Sequence, residues 1–171
     1  MSAITLTELN ALARPDFVRV VGPVFEHSPW IAEATWPNRP FSGMKILLLE
    51  LCETVRAAGE EKQLALIRAH PDLVGRAALA GTLTRESTGE QASAGLNNLS
   101  PDEIALFQKQ NAAYKEKFTF PFVICARLNK KEAIIAGFER RLKNTREEEI
   151  KTALEEIFKI AELRLRDLIV N

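Results

Sequence analysis

Apolar residues return at helical spacing along almost the whole chain, and this constrains the fold more than any other feature of the sequence. Leu6, Leu9 and Leu12 begin the pattern. Phe17, Val20, Val21 and Val24 continue it, as do Ile46 to Val55 and then Leu64, Leu66 and Ile67. Apolar positions every three or four residues line one face of a helix, whereas a half-buried strand would alternate strictly. The sequence offers no convincing alternating pair and no Asn-Gly or Asp-Gly hairpin turn. Start signals agree with helices: Thr5 to Glu8, Ser100-Pro101-Asp102-Glu103 and Thr145 to Glu148 each set an N-cap candidate before acidic residues that suit the positive end of the helix dipole. Pro and Gly punctuate the first half, but after Leu96 only Pro101, Pro121 and Gly137 remain, so short elements give way to long ones. The expectation is an all-α, single-domain bundle over residues 1–171, with about eight helices and the site at helix ends and loops. Two stretches resist a helical reading. Residues 71–86 carry Pro71, Gly75 and Gly81 with no sustained stripe, and 118–122 has Pro121 inside an apolar run.

Composition removes whole classes of function. A chain of 171 residues buries roughly 70% of its unfolded surface on folding, so it needs neither disulfide nor structural metal. Cys52 and Cys125 lie far apart and form no CxxC spacing, which reads as two small core hydrophobes in a reducing compartment. Lys and Arg number 23 and so do Asp and Glu, leaving no excess positive charge with which to bind a phosphate backbone; nucleic acid is not the expected partner. Apolar runs break at charges well before the ~20 residues that span a bilayer, so no membrane segment is expected. The opening MSAITLTELN lacks a basic or apolar targeting region, and Leu168-Ile169-Val170-Asn171 is no peroxisomal or retention tripeptide. A cytoplasmic protein is expected.

Only two histidines are available for acid–base work. His70 follows the stripe Leu64, Leu66, Ile67 and directly precedes Pro71, whose ring pushes the preceding residue out of the helical region. The helix should therefore end at or just before His70, leaving the imidazole near the negative end of the dipole. That setting suits either a general acid near neutral pH or a plain C-capping histidine. Ser87-Thr88-Gly89-Glu90 has the spacing of a capping box, with Ser87 as cap and Glu90 reaching back to it. Gln91 beside it could donate and accept toward a planar amide or ureido group.

The last helix allows a sharper inference. At 100° per residue, Ile150, Leu154, Ile157, Ala161 and Leu168 form one stripe; Arg164 falls within about 20° of it, and Arg166 on the opposite face. A core-facing arginine must find a carboxylate, carbonyls or a ligand. Ser28-Pro29-Trp30 and Trp36-Pro37-Asn38-Arg39-Pro40-Phe41 read as a proline-stiffened aromatic brace, with His27 in the same role. Neither histidine sits in an HExxH or HxH pattern, so no catalytic metal is expected. No GxGxxG, Walker loop or GxSxG elbow occurs.

Taken in order, Ser28-Pro29-Trp30, Arg39-Pro40-Phe41, Ala69-His70-Pro71-Asp72-Leu73, Leu83-Thr84 with Glu86-Ser87 and Glu90-Gln91, Ala94-Gly95-Leu96, Phe120-Pro121-Phe122 and Leu163-Arg164-Leu165 resemble the OHCU (2-oxo-4-hydroxy-4-carboxy-5-ureidoimidazoline) decarboxylases, from about residue 5 to residue 169. The resemblance implies an all-α, cofactor-free lyase, usually a homodimer, acting on a ureidoimidazoline after urate oxidase and 5-hydroxyisourate hydrolase, with possible coupling to both. It implies His70 and Glu90 as the catalytic pair. It further implies Ser87, Gln91 and Arg164 as substrate-binding residues, Pro71 as part of the pocket wall, and backbone groups around Phe120, Phe122 and Val123 meeting the ring. Two other classes stay in view: a helical interaction module in which His70 and Glu90 only cap helices, and a ureide hydrolase, for which the metal-ligand set is missing from the sequence.

Overall fold

The computed structural model describes residues 3–170; Met1, Ser2 and Asn171, which belong to the terminal segments read for targeting signals, lie outside the described residues. The fold is all-α. In chain order it runs β1 (Ile4–Thr5), α1 (Leu6–Ala11), α2 (Arg14–Val21), α3 (Trp30–Thr35), α4 (Met44–Ala57), α5 (Gly59–Ala69), α6 (Arg76–Leu79), α7 (Arg85–Ser93), α8 (Pro101–Phe118), α9 (Lys131–Arg141), α10 (Arg146–Leu168) and β2 (Ile169–Val170), with short 3-10 turns at Gly22–Val24, Trp36–Asn38 and Ala126–Leu128. Ten α-helices therefore stand among the described residues where about eight were expected. One extra is the four-residue α6, inside the stretch read from sequence as loop. No alternating pattern announced β1 and β2, because two residues are too few to carry one. They pair in parallel, Ile4 opposite Ile169. No helix among the described residues is long and apolar enough to cross a membrane.

The chain divides into two compact units, one holding the residues up to Ala69 and those from Phe158 onward, the other His70–Ile157. In the first, Thr5 is the N-cap of α1, as expected, and the cap closes into a reciprocal box: Glu8 N–H donates to the Thr5 hydroxyl while Thr5 N–H donates to the Glu8 carboxylate. Leu47, Leu51 and Val55 are fully buried along one face of α4, spaced by four, and pack with Phe17, Val21 and Ile31 in the core. Each such side chain contributes about 1.5–3 kcal/mol by leaving water. The aromatic brace has the structural role expected of it. Trp36 Nε1 donates to the Leu12 carbonyl at 3.2 Å, Arg39 stacks over Trp36 and donates to Asn10 and Leu12 carbonyls, and Phe41 pairs with Asn10 through its backbone. His27 does not share that role: its side chain is exposed, and its backbone takes φ of 44°.

The second unit is built on α8, whose Phe107, Tyr114 and Phe118 are fully buried. Tyr114 meets Phe122 edge-on at 5.2 Å, and Phe122 stacks on Phe138 of α9 at 3.8 Å. Into this apolar cluster the fold drives an ion pair. Arg141 donates to Glu149 at 2.9 Å and to the Val123 carbonyl at 2.6 Å, and Glu149 also accepts from Asn144 and from the Tyr114 hydroxyl. Burial pushes the Tyr114 pKa up, keeping the hydroxyl a donor. A buried pair is tolerated only when every charge is matched in this way.

Candidate active site

α5 ends at Ala69, as Pro71 requires, and His70 begins the second unit with only 7% of its surface exposed. The chain then makes a tight turn in which Gly75 N–H donates to the Asp72 carbonyl at 3.3 Å. Val74 sits at φ of 53°, a left-handed conformation that a β-branched residue rarely takes. Gly75 is the residue that lets the turn close: a Cβ there would lie 2.5 Å from that of Asp72. Three side chains from neighbouring helices hold the turn. Gln91 accepts from Val74 N–H at 3.1 Å and donates to the Asp72 carbonyl at 3.4 Å, Asn111 donates to the Leu73 carbonyl at 2.8 Å, and Lys115 pairs with the Asp72 carboxylate at 2.5 Å.

The capping box read at Ser87 and Glu90 is not formed. α7 starts at Arg85, one residue after Thr84, and it is the Thr84 hydroxyl that accepts from Ser87 N–H at 3.2 Å. Ser87 is thus the third residue of the helix rather than its cap. Positions 87, 90 and 91 are three and four apart and share one face, of which Ser87 and Gln91 are buried and Glu90 half-buried. Thr84-x-x-Ser87, with acidic Glu86 within that first turn, is the signal that would have placed the helix start correctly. At its other side α7 packs against the turn Ala126–Leu128. The structure therefore joins Gln91 to the turn after His70 and Pro71, and packs α7 against the end of the segment that carries Phe120, Phe122 and Val123.

Those last three residues are buried, and the rings of Phe120 and Phe122 point into the Tyr114 and Phe138 cluster. Their rings are thus taken up by the core, beside the backbone of the segment. That backbone is anchored: Arg141 takes the Val123 carbonyl, and Cys125 N–H donates to Glu156 at 2.8 Å. Arg164 belongs to the first unit, and its side chain is 3% exposed, as the stripe arithmetic required; Arg166 is on the surface. Arg164 donates to Glu26 at 2.9 Å and to the Pro23 carbonyl at 3.1 Å. Both the carboxylate and the carbonyl anticipated for a core-facing arginine are there. Glu26 went unremarked in the sequence because 138 residues separate it from Arg164. Asn111 and Lys115 were missed too. The only signal was a weak helix former, Asn111, on a face otherwise given to Phe107, Tyr114 and Phe118. Among the described residues no group of three or more His, Cys, Asp and Glu side chains is spaced to hold a metal ion.

Comparison with known proteins agrees with this architecture. The profile of the OHCU decarboxylase family matches residues 10–166. A 2-oxo-4-hydroxy-4-carboxy-5-ureidoimidazoline decarboxylase of Halalkalicoccus jeotgali is 42% identical over 170 residues, 99% of this chain and 94% of the relative. A uric acid degradation bifunctional protein of Bacillus sp. is 41% identical over 166 residues, covering 95% of this chain but 32% of the relative. Among solved structures, an (S)-allantoin synthase superposes with a TM-score of 0.79 at 26% identity, over 98% of this chain; the chain spans 54% of that one's length. On the strength of a family match over most of its length and a relative 42% identical across nearly all of it, the chain belongs to the OHCU decarboxylase family.

Proposed function

We propose that this chain is a carboxy-lyase of urate breakdown that converts 2-oxo-4-hydroxy-4-carboxy-5-ureidoimidazoline to (S)-allantoin, with His70 and Glu90 as catalytic residues. The observation that carries the assignment of the site is the start of α7. Thr84 caps the helix, so Ser87 and Glu90 are not its cap, and the face they share with Gln91 is tied to the turn that follows His70.

The chemistry fits these residue types. CO₂ leaves from the ring carbon that bears the hydroxyl; its bonding electron pair forms a C=C bond to the ureido-bearing carbon, and the C=N pair moves onto the ring nitrogen, which takes up a proton, giving an enol. A proton added to the ureido-bearing carbon and one lost from the enol oxygen complete allantoin, with a net uptake of one proton from the carboxylate form of the substrate. The substrate is its own electron sink, so the reaction calls for no pyridoxal phosphate, thiamine or metal. What the protein adds is orientation, donors where charge develops, and a proton delivered to one face. In this account Arg164 and Gln91 hold carbonyl and ureido groups, Ser87 adds a hydroxyl, and Pro71 with the backbone of Phe120, Phe122 and Val123 lines the wall. Gln91 spends one lone pair and one N–H on the turn and keeps one of each for a ligand. His70 and Glu90 move the proton.

The protein is proposed to act as one domain over residues 1–171, as a cytoplasmic homodimer. Buried thiols support a reducing compartment: both cysteines are buried, and burial raises the Cys52 pKa to about 11, which makes it an inert core residue. The relative named as a uric acid degradation bifunctional protein supports functional coupling to another step of that breakdown, and urate oxidase and 5-hydroxyisourate hydrolase are the partners proposed. The test is circular dichroism of the product stream when those two enzymes supply fresh substrate. Rapid appearance of optically active allantoin is expected with the protein present; slow racemate formation at the same rate with or without it would refute the activity.

A further inference from the structure

The turn that follows His70 is over-determined, and one of the groups that fixes it, Asn111, has been given no role in the chemistry. Asn111 lies on the buried face of α8, 5% exposed, between Phe107 and Tyr114. Its Nδ2 donates to the Leu73 carbonyl, 38 positions away in sequence, while its Oδ1 is buried with no hydrogen-bond partner. Asparagine is a poor helix former, and an unmatched buried acceptor is costly, so a leucine would suit both helix and core better. What leucine would lack is the donor to Leu73. Next to that carbonyl, Val74 holds its left-handed backbone, a state that persists only where the surroundings impose it. Pro71 removes one torsion from the link between His70 and the turn, so displacement of Leu73 is passed back to the imidazole.

We propose that Asn111 is a positioning residue for His70, acting through the Leu73 carbonyl. The proposal rests on the reading of His70 as catalytic. The test compares Asn111→Leu, His70→Ala and the double variant by appearance of optically active allantoin. Asn111→Leu should lower kcat roughly 10- to 100-fold, as an imidazole misplaced by an ångström would, with KM within about twofold. In the His70→Ala background it should cost nothing further, because a residue that acts only through His70 has nothing left to position. Titration of the two imidazoles by NMR supplies the readout that a structural role would not move: the His70 resonance and its midpoint shift in Asn111→Leu, while exposed His27 serves as the internal control.

Wild-type kcat in a folded Asn111→Leu, or a loss that multiplies with that of His70→Ala, would overturn the proposal. Should Asn111→Leu fail to melt cooperatively, Asn111→Ser, small enough to admit a bridging water to Leu73, takes its place; failure of both to fold would mark Asn111 as a folding residue and also overturn it. Full activity in His70→Ala would instead remove the catalytic reading on which the proposal stands.

Discussion

Ser87-Thr88-Gly89-Glu90 and Ser100-Pro101-Asp102-Glu103 have the same spacing and opposite outcomes. At α8 the box closes: Glu103 N–H donates to the Ser100 hydroxyl at 3.2 Å and Ser100 N–H to the Glu103 carboxylate at 2.8 Å. At α7 it does not, because Thr84 has already started the helix one turn earlier. Proline at the first position of α8 explains part of the difference, since it fixes the start there and gives up no needed N–H. The lesson is that serine and glutamate three apart specify a cap only where no better cap precedes them. Where one does, the same pair becomes two neighbours on a helix face, available for something else.

The two helix starts should differ most at their glutamates. Glu90→Gln should lower kcat by about 10²-fold or more and leave stability within about 0.5 kcal/mol, while Glu103→Gln should keep full activity. Equal activity in both, with a lower melting temperature for Glu90→Gln, would return Glu90 to a structural role. The serines should divide in the same way with smaller effects. Ser87→Ala is expected to raise KM roughly tenfold, the worth of one lost hydrogen bond to a ligand. Ser100→Ala should leave KM alone and cost about 1 kcal/mol of stability, or roughly 2–4 °C in Tm for a chain of this size. Thr84→Ala should cost a similar ~1 kcal/mol, placing the cap of α7 where the structure has it.

The smallest expected effect is in pH. A hydrogen bond from Lys131, and then the Ser100 backbone N–H, hold the Glu103 carboxyl below its usual value of 4.5. A carboxyl depressed in the folded state stabilises fully above its unfolded value and loses that contribution as pH falls through the folded one. The melting difference between wild type and Glu103→Gln should therefore shrink as pH drops below 4.5. The difference for Thr84→Ala should stay constant over the same range, because a hydroxyl cap does not titrate. Parallel pH curves for both variants would show that the α8 box adds nothing ionic.

How much of this was legible depended on the range of the interaction. The N-caps Thr5, Ser100 and Thr145 could be read directly, because each acidic partner lies three residues on, and in the structure all three close into reciprocal boxes. Burial of Arg164 followed from helical geometry alone, and the end of α5 from one proline. What could not be read were the partners that fold brings from a distance: Glu26 for Arg164, Glu149 and the Val123 carbonyl for Arg141, and Gln91 and Asn111 for the turn after His70. Local sequence carries information about the helix a residue sits in, but a side chain that ties two segments together leaves no periodic trace in either. The segment 71–86 shows the same limit, since α6 is too short to produce a stripe.

Proton handling by His70 can be read from the optical activity formed from fresh substrate by wild type and by His70→Ala at equal folded concentration. The expected result is rapid (S)-allantoin from wild type and only slow racemate from the variant. A variant that still produced the single enantiomer at the wild-type rate would contradict it.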